Sequence, residues 1–205
     1  MSSSHKSLEV RASYHHGNLA AALIDTGFAL ADEGGTALVT VREAARRIGV
    51  SAPAAYRHFS SRNDLLAAVA QRCREELARA MIEARDGHVG ADARFEAVGR
   101  SYIEFAVRRP RVIECAFASL SLESDPAPWG SEDPSAYVVL SGALDELAAE
   151  GLLRPELRAG AEIVAWSSVH GIALLLAGSP ELQASAESMI EVVLNGVGRS
   201  LGLNL

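Results

Sequence analysis

The chain has 205 residues, of which 49% are hydrophobic and 22% charged, and its formal net charge is −7. This composition is typical of a globular protein and excludes general disorder, and two cysteines are too few for a disulfide framework. The length suits one domain of ordinary size and a small second one. Without a signal peptide, a spanning apolar segment or a Cys/His cluster, we expect a cytoplasmic protein with no membrane contact, metal or cofactor.

Charge is distributed unevenly along the chain. Residues 1–64 carry seven Lys and Arg against six Asp and Glu, whereas the remainder is acidic. An arm containing Lys6, Arg11, His15 and His16 precedes the first predicted helix. This arm is either a solvated tail or a basic arm that enters the minor groove of a nucleic acid.

Helical periodicity is nearly continuous from Asn18 onward, and no strand alternation of useful length occurs, which predicts an all-α fold. The first helix spans about residues 18–33 and ends at Gly34 and Gly35. Thr40 and Glu43 match a T-x-x-E capping box, so a second helix is predicted to begin at Val41.

The next connection predicts a helix-turn-helix. Gly49 is suited to end one helix, Ser51 is a good N-cap for the next, and Pro53 is tolerated in its first turn. Two short helices joined in this way either only pack together or place the second helix in a DNA major groove. Polar and aromatic residues near the exposed ends of three successive helices favour DNA binding; they are Thr40, Arg42, Ser51, Tyr56, Arg57, His58 and Arg62.

A second capping box, Ser61-x-x-Asp64, predicts the start of a long helix that ends near Gly87. Further helices are predicted near residues 91–108, 110–120, 134–150, 155–177 and 180–201, with an acidic Pro- and Ser-rich loop at 121–135. We therefore predict a three-helix helix-turn-helix domain at residues 14–75. A C-terminal helical bundle for ligand binding and dimerisation follows at residues 76–205.

Residues 40–66, TVREAARRIGVSAPAAYRHFSSRNDLL, resemble the TetR/AcrR family of transcriptional regulators. The shared features are a capped helix, a Gly-Val-Ser turn, a Tyr-x-x-Phe recognition helix and a basic residue before two leucines, with Arg62 where the family usually has Lys. YHHGNLAAALI at residues 14–24, and Trp166 followed by His170-Gly171, resemble a subgroup with a WHG-type C-terminal domain. The resemblance implies a ligand-responsive DNA-binding regulator, a repressor that a small molecule releases from its operator, and no enzymatic activity.

The resemblance also assigns roles to individual residues. It implies phosphate contacts for Thr40, Tyr56, His58 and Arg62. It implies contacts with the bases for Arg42 and for the exposed start of the recognition helix, which comprises Ser51, Ala52, Pro53, Ala54 and Arg57. Since a guanidinium fits the two acceptors of guanine, we predict direct readout by Arg42 and Arg57, each contributing about 1–3 kcal/mol of discrimination. The Ala-Pro-Ala run supplies few hydrogen bonds and leaves the operator sequence open.

Double-stranded operator DNA of this kind is bound by two-fold dimers, whose recognition helices lie about 34–36 Å apart. Residues 163–177 are apolar nearly all round, so one side is free to face a partner chain. The last helix offers Met189, Ile190, Val193, Val197 and Leu201. We predict a homodimer with an interface of four helices, two from each chain, as the resemblance also implies.

Several aromatic residues of the C-terminal part either form its core or line a pocket for an unidentified small apolar effector; they are Tyr102, Phe105, Phe117, Trp129, Tyr137, Trp166 and His170. Cys73 and Cys115 either pack in the core or sense oxidants. The rival functions are an all-α enzyme or small-molecule-binding protein using His170 or Glu162 in this cavity, and a dimeric carrier with a vestigial DNA-binding unit. No nucleophile with a base, carboxylate pair or metal set is recognisable, so we assign no catalytic residue.

Overall fold

A computed structural model describes residues 19–118 and 136–203 of the protein. Within these ranges the backbone forms α-helices, one short 3-10 turn at Thr36–Leu38 and no strand, which confirms the predicted all-α fold. The helices are α1 (Leu19–Gly34), α2 (Val41–Ile48), α3 (Ala52–Tyr56), α4 (Arg62–Asp86), α5 (Ala91–Arg108), α6 (Pro110–Phe117), α7 (Ala136–Ala149), α8 (Pro155–Arg158), α9 (Ala161–Gly178), α10 (Pro180–Gln183) and α11 (Ala186–Ser200).

The long helix α4 connects the helix-turn-helix, formed by α2 and α3, to the C-terminal helices α5 to α11. Its first half packs against α1, and along its length it also contacts α5, α6 and α7. The buried apolar residues form one continuous cluster that extends from Leu23 in α1 to Leu203 after α11. The predicted boundary between residues 75 and 76 lies inside α4, so the division into two domains stays a prediction.

Two predicted helices each divide into a short and a long one. Pro155 and Pro180 begin helices as expected, but α8 and α10 have only four residues each. Gly160 adopts φ 82°, a left-handed conformation that ends the helical run before α9. At the second break, the amide of Ser185 donates to the carbonyl of Leu182, closing a tight turn before α11.

Several predicted features lie partly or wholly outside the described residues. The arm with Lys6, Arg11, His15 and His16 and the loop at residues 121–135 lie wholly outside them. The predicted helices at 18–33, 110–120 and 134–150 lie partly outside them, and the second of these ends at Phe117.

The two cysteines, on α4 and α6, are free thiols and are fully buried in the apolar core. Their position supports the core-packing interpretation of Cys73 and Cys115.

Candidate nucleic-acid interface

Helix α2 begins and ends through local interactions that the sequence predicts. The Thr40 hydroxyl accepts a hydrogen bond of 3.1 Å from the Glu43 amide, and Gly49 ends the helix with φ 73° and ψ 28°. Only this half of the predicted capping box forms, because the Glu43 carboxylate instead accepts hydrogen bonds from Arg46 and Arg47. The turn between α2 and α3 therefore begins at Gly49 and ends at the N-cap Ser51, as predicted.

Helix α3 is short and attached to the core by few residues. The Ser51 hydroxyl accepts a hydrogen bond of 3.4 Å from the Ala54 amide, and Pro53 occupies the first turn. Ala55 is fully buried and Phe59 is 8% exposed, so these two residues fix the helix against the core. Their burial turns the opposite side of α3 toward solvent.

The predicted contact residues of α3 lie on that outward side. Tyr56 is 40% exposed, and Arg57 and His58 are also exposed. Ser51 and Pro53 are exposed, whereas Ala52 and Ala54 are half-buried small residues at the start of the helix. Small side chains at this point allow close approach of another surface.

The start of α4 is fixed by a complete capping box. The Asp64 amide donates to the Ser61 hydroxyl at 3.1 Å, and the Asp64 carboxylate accepts from the Ser61 amide at 3.0 Å. Hydrogen bonds from Ser60 and Ser61 lower the pKa of Asp64, so this cap is charged near neutral pH. Arg62, the first residue of α4 after the N-cap Ser61, is exposed. Its Nη2 donates a hydrogen bond to the carbonyl of Thr36 at 2.6 Å.

The cations near α2 and α3 fall into two groups. Arg46 binds Glu43 through two hydrogen bonds of 2.6 and 2.8 Å, and Arg47 binds both Glu43 and Glu33. These bonds lower the pKa of Glu43 to about 2, so the carboxylate remains charged and continues to hold both arginines.

Arg42 and Arg57 form the other group: they are exposed, and they have no ion pair or side-chain hydrogen bond within the described part of the chain. The His58 ring is exposed beside them. The protein thus leaves selected cations free on the surface that contains α3. Free guanidinium groups on a helix-turn-helix are suited to phosphate and guanine contacts.

A cluster of four rings lies inside the C-terminal bundle. The Tyr102 hydroxyl and His170 Nδ1 are 2.7 Å apart, and the His170 ring stacks on Trp166 with centroids 6.0 Å apart. The Phe117 ring lies 5.0 Å from His170 and 6.0 Å from Trp166. Burial raises the pKa of Tyr102 and lowers that of His170, so both groups are neutral near pH 7.

A small apolar cavity adjoins this ring cluster. Its volume is about 30 Å³, which is room for about two water molecules. The wall is contributed by α4, α5, α7, α9 and α11 through Met81, Phe95, Val98, Gly99, Tyr102, Leu140, Ala165, Trp166, Val169, Leu194 and Val197.

Comparison with protein families supports what the geometry indicates. The family model described as "Bacterial regulatory proteins, tetR family" matches residues 23–69, which contain α2 and α3. A second family model, described as "Tetracyclin repressor-like, C-terminal domain", matches residues 95–196. The chain belongs to the TetR family of transcriptional regulators. Its function is therefore DNA-binding transcriptional regulation, whereas the WHG-type subgroup stays a prediction.

Solved structures share this TetR family fold over nearly the whole chain. A protein with unknown function from Rhodococcus sp. RHA1 is 26% identical, with a TM-score of 0.72 over 93% of this chain and 98% of that chain. The transcriptional regulator FadR from Bacillus subtilis, in complex with stearoyl-CoA, is 16% identical, with a TM-score of 0.60 over 86% and 98%. A TetR family regulator from Marinobacter aquaeolei VT8 is 15% identical, with a TM-score of 0.60 over 89% and 94%. No curated protein matches the sequence.

The predicted pocket residues do not all lie at the cavity of this TetR family protein. Tyr102 and Trp166 line the cavity, while Phe117 and His170 pack behind them in the ring cluster. Phe105 is buried elsewhere, beneath the guanidinium of Arg109. Tyr137 is half-buried at the start of α7, and Trp129 lies outside the described residues.

Most of the residues that line the cavity are aliphatic, and the sequence did not predict them as pocket residues. Met81, Leu140 and Leu194 come from three different helices, and each has the spacing of an ordinary core residue. No signal in the sequence separates a leucine that lines a cavity from one that packs in the core.

The prediction that the apolar face of the last helix, α11, meets a partner chain is corrected by the structure. Ile190, Val197 and Leu201 are each at most 3% exposed because they pack against the chain's own bundle. Val193 and Met189 are half-buried, and the apolar residue that α11 leaves exposed is Val192, at 65%. The face predicted for a partner thus mainly covers the bundle.

Helix α9 has a second apolar side that its own bundle leaves uncovered. Ile163, Val164, Leu174 and Leu175 are each at least 40% exposed. By length and composition α9 would also qualify as a membrane span. However, its other side packs against α5, α7 and α11, as in a core helix of a globular bundle.

Glu162 and His170, the two residues named for a possible enzyme, are engaged in structural contacts. Glu162 accepts hydrogen bonds from Arg158 at 2.7 Å and from Ser141 at 2.9 Å. Burial alone would raise the pKa of Glu162, but its own backbone amide, Arg158 and Ser141 outweigh burial and lower it. Among residues 19–118 and 136–203, no group of three His, Cys, Asp or Glu could hold a metal ion.

Proposed function

We propose that this TetR family regulator is a homodimeric cytoplasmic repressor, released from its operator when a small apolar molecule enters the bundle, and that it catalyses no reaction. The observation that carries the proposal is the division of cations on the helix-turn-helix. Arg42 and Arg57 are exposed without a partner in the described ranges, while Arg46 and Arg47 are held by carboxylates. A helix-turn-helix that only packed against the rest of the protein would not need unpaired arginines around α3, a short helix that few residues attach to the core.

The residues divide into two roles. Thr40, Tyr56, His58 and Arg62 contact phosphates and thereby fix the register on the duplex. The hydroxyl of Thr40 accepts its capping hydrogen bond and keeps its own proton to donate, and Arg62 uses one of five N–H groups on Thr36. The bases are contacted by Arg42, Ser51, Ala52, Pro53, Ala54 and Arg57.

Dimerisation sets the distance between the two recognition helices. The exposed apolar side of α9, together with Val192 of α11, supports an interface of four helices between two copies. Burying this side against a second copy removes apolar area from water, which favours association. The dimer then presents its two α3 helices at the spacing of successive major grooves, about 34–36 Å.

The effector site is the apolar cavity and the ring cluster beside it. The cavity holds no more than about two water molecules, so a larger molecule must push its walls apart. One wall residue, Met81, belongs to α4, whose first residues adjoin the helix-turn-helix. Effector binding therefore favours a position of α4 in which the two α3 helices no longer match the groove spacing.

The DNA-binding proposal is tested with operator-sized duplexes. A random-sequence duplex pool is enriched on the purified protein, and the affinity for the enriched duplex is measured by fluorescence anisotropy across salt concentrations. Arg62→Ala should lower the slope of log affinity against log salt by about 1. Arg46→Ala is the matched control, since it removes the same charge from a guanidinium that Glu43 already holds.

The result that contradicts phosphate contact at Arg62 is a shallow salt dependence that Arg62→Ala leaves unchanged. If the pool enriches no sequence, the carrier with a vestigial DNA-binding unit becomes the better interpretation.

The effector proposal is tested by the fluorescence of Trp166. The chain has two Trp residues, so the Trp fluorescence of a Trp129→Phe variant comes only from Trp166 in the ring cluster. The FadR structure contains stearoyl-CoA, which makes stearoyl-CoA and free stearate the first probes. A probe that enters the cavity should shift the Trp166 emission and weaken binding to the enriched duplex. A shift without release contradicts the repressor mechanism, and turnover of the probe would favour the enzyme.

A further inference from the structure

Two arginines at the start of α6, Arg109 at its N-cap and Arg111 in its first turn, bind the last turn of α1. Arg109 donates from Nη2 and Nε to the two oxygens of the Asp32 carboxylate, at 2.7 and 3.4 Å. Arg111 donates from Nη1 to the backbone carbonyl of Glu33. A two-point guanidinium contact fixes orientation as well as distance, and cations are favoured at the C-terminal end of a helix.

The Arg109 side chain is also held by α4 and by two aromatic rings. Its guanidinium lies 4.8 Å from the centroid of the Phe28 ring and 5.8 Å from that of Phe105. Nη1 is 3.8 Å from the Glu76 carboxylate on α4. Only a planar guanidinium combines ring stacking with the fork contact to Asp32. Arg109 therefore joins α1, α4 and the junction of α5 with α6.

The same turn of α1 continues to the helix-turn-helix. The Glu33 carboxylate accepts a hydrogen bond of 2.7 Å from Arg47 of α2, which also binds Glu43. The hydrogen bond from Arg47 lowers the pKa of Glu33, which keeps this carboxylate charged. Contacts thus run without a gap from α6 through the end of α1 to α2.

At its other end, α6 reaches the ring cluster. Phe117, the last residue of α6, lies 5.0 Å from the His170 ring and 6.0 Å from the Trp166 ring. Because α6 has eight residues, it spans about 12 Å. One short helix therefore contacts the effector region through its last residue and α1 through its N-cap Arg109 and through Arg111 in its first turn.

We propose that Arg109 and Arg111, bound to Asp32 and Glu33, form a positioning clamp through which α6 sets the placement of the helix-turn-helix on the bundle. In the dimer this clamp fixes the separation of the two α3 helices. The inference rests on the proposed dimeric DNA binding and adds the contacts that transmit a movement of α6. It differs from transmission along α4, because it acts on α1 and α2 directly.

The test measures how strictly the protein selects the spacing between operator half-sites. The probes are a duplex enriched by the wild-type protein, versions with the spacer between half-sites changed by one or two base pairs, and a single half-site. The double variant Arg109→Gln/Arg111→Gln should lose about fivefold or more of the wild-type preference for the enriched spacing, the lower end of typical coupling between sites. Its affinity for the single half-site should not change, because α2 and α3 are intact.

The matched control is Arg108→Gln. Arg108 is adjacent to the clamp and carries the same charge, but it is exposed and pairs with Glu104 on its own helix. This control should keep the wild-type spacing preference. Arg109→Lys should restore only part of the preference, since Lys keeps the charge without the fork.

Two results overturn the clamp. The first is a double variant that retains the wild-type spacing preference. The second is an equal loss of affinity for the half-site and for all spacings, which indicates a structural role only. If the double variant does not fold, Asp32→Asn removes one acceptor of the clamp, and the same two results apply to it. A wild-type protein that enriches no duplex overturns the proposed function and the clamp together.

Discussion

The packing of α1 on α4 makes a specific prediction at Gly27. A Cβ atom at Gly27 would lie 2.5 Å from Cγ2 of Val69, far inside ordinary contact distance. Gly142 lies inside α7, and a Cβ atom there would meet nothing within 4 Å. Replacing either glycine with alanine gives the same gain in helix propensity, so the difference between the two variants isolates the clash.

The expected magnitudes follow from these two environments. Gly142→Ala should stabilise the protein by up to about 1 kcal/mol, the propensity difference between Gly and Ala. Gly27→Ala gains the same amount but also carries an overpacking cost of about 1–3 kcal/mol, because a β-branched Val69 adjusts poorly. At about 2–4 °C per kcal/mol for a chain of this size, Gly27→Ala should melt about 2–12 °C below Gly142→Ala.

Far-UV circular dichroism melts at one fixed protein concentration measure this difference, since dimerisation makes the melting temperature concentration-dependent. If Gly27→Ala melts at or above Gly142→Ala, α1 is not packed closely on α4. The packing of α1 on α4 would then not hold the helix-turn-helix against the bundle.

Three further predictions concern the bundle. Tyr102→Phe removes the hydroxyl that hydrogen-bonds Nδ1 of His170 and should cost about 1–3 kcal/mol of unfolding free energy by denaturant titration, the cost of leaving a half-buried polar group without its partner; an unchanged midpoint would contradict this bond. Since burial lowers the folded pKa of His170 below its usual 6.5, the unfolded chain binds more protons in that interval. Stability should therefore fall as pH decreases through and below 6.5, and calorimetry of His170→Asn should show a shallower dependence than the wild type. Leu175→Glu, on the exposed side of α9, should give monomers by sedimentation, whereas Val138→Glu on α7 should remain dimeric; two dimeric variants would exclude the α9 interface.

The sequence predicted features that depend on interactions within four or five residues. Thr40, Gly49 and Ser61 mark helix ends because each acts on backbone groups of its own turn. The helix-turn-helix and the outward side of α3 followed from such signals together with the family resemblance. The division of the last two predicted helices was missed, although Gly160 was visible as a helix-ending residue.

The tertiary structure alone decided which cations are free. Arg47 pairs with Glu33, fourteen residues earlier, and Arg62 binds the carbonyl of Thr36, twenty-six residues earlier. No periodicity distinguishes these arginines from Arg42 or Arg57. Pairing of this kind depends on how α1 lies beside α2 and α4, which local propensity does not determine.

The same limit applies to the bundle. An apolar stripe on α11 was evident from the sequence, yet whether Ile190 and Val197 face their own bundle or a partner depends on the helices around them. The cavity beside Trp166 and the contact of Arg109 with Asp32 join residues far apart in the chain. Short-range signals thus determined the helices and the DNA-binding unit, whereas packing between distant helices decided the dimer face, the cavity and the contacts that connect them.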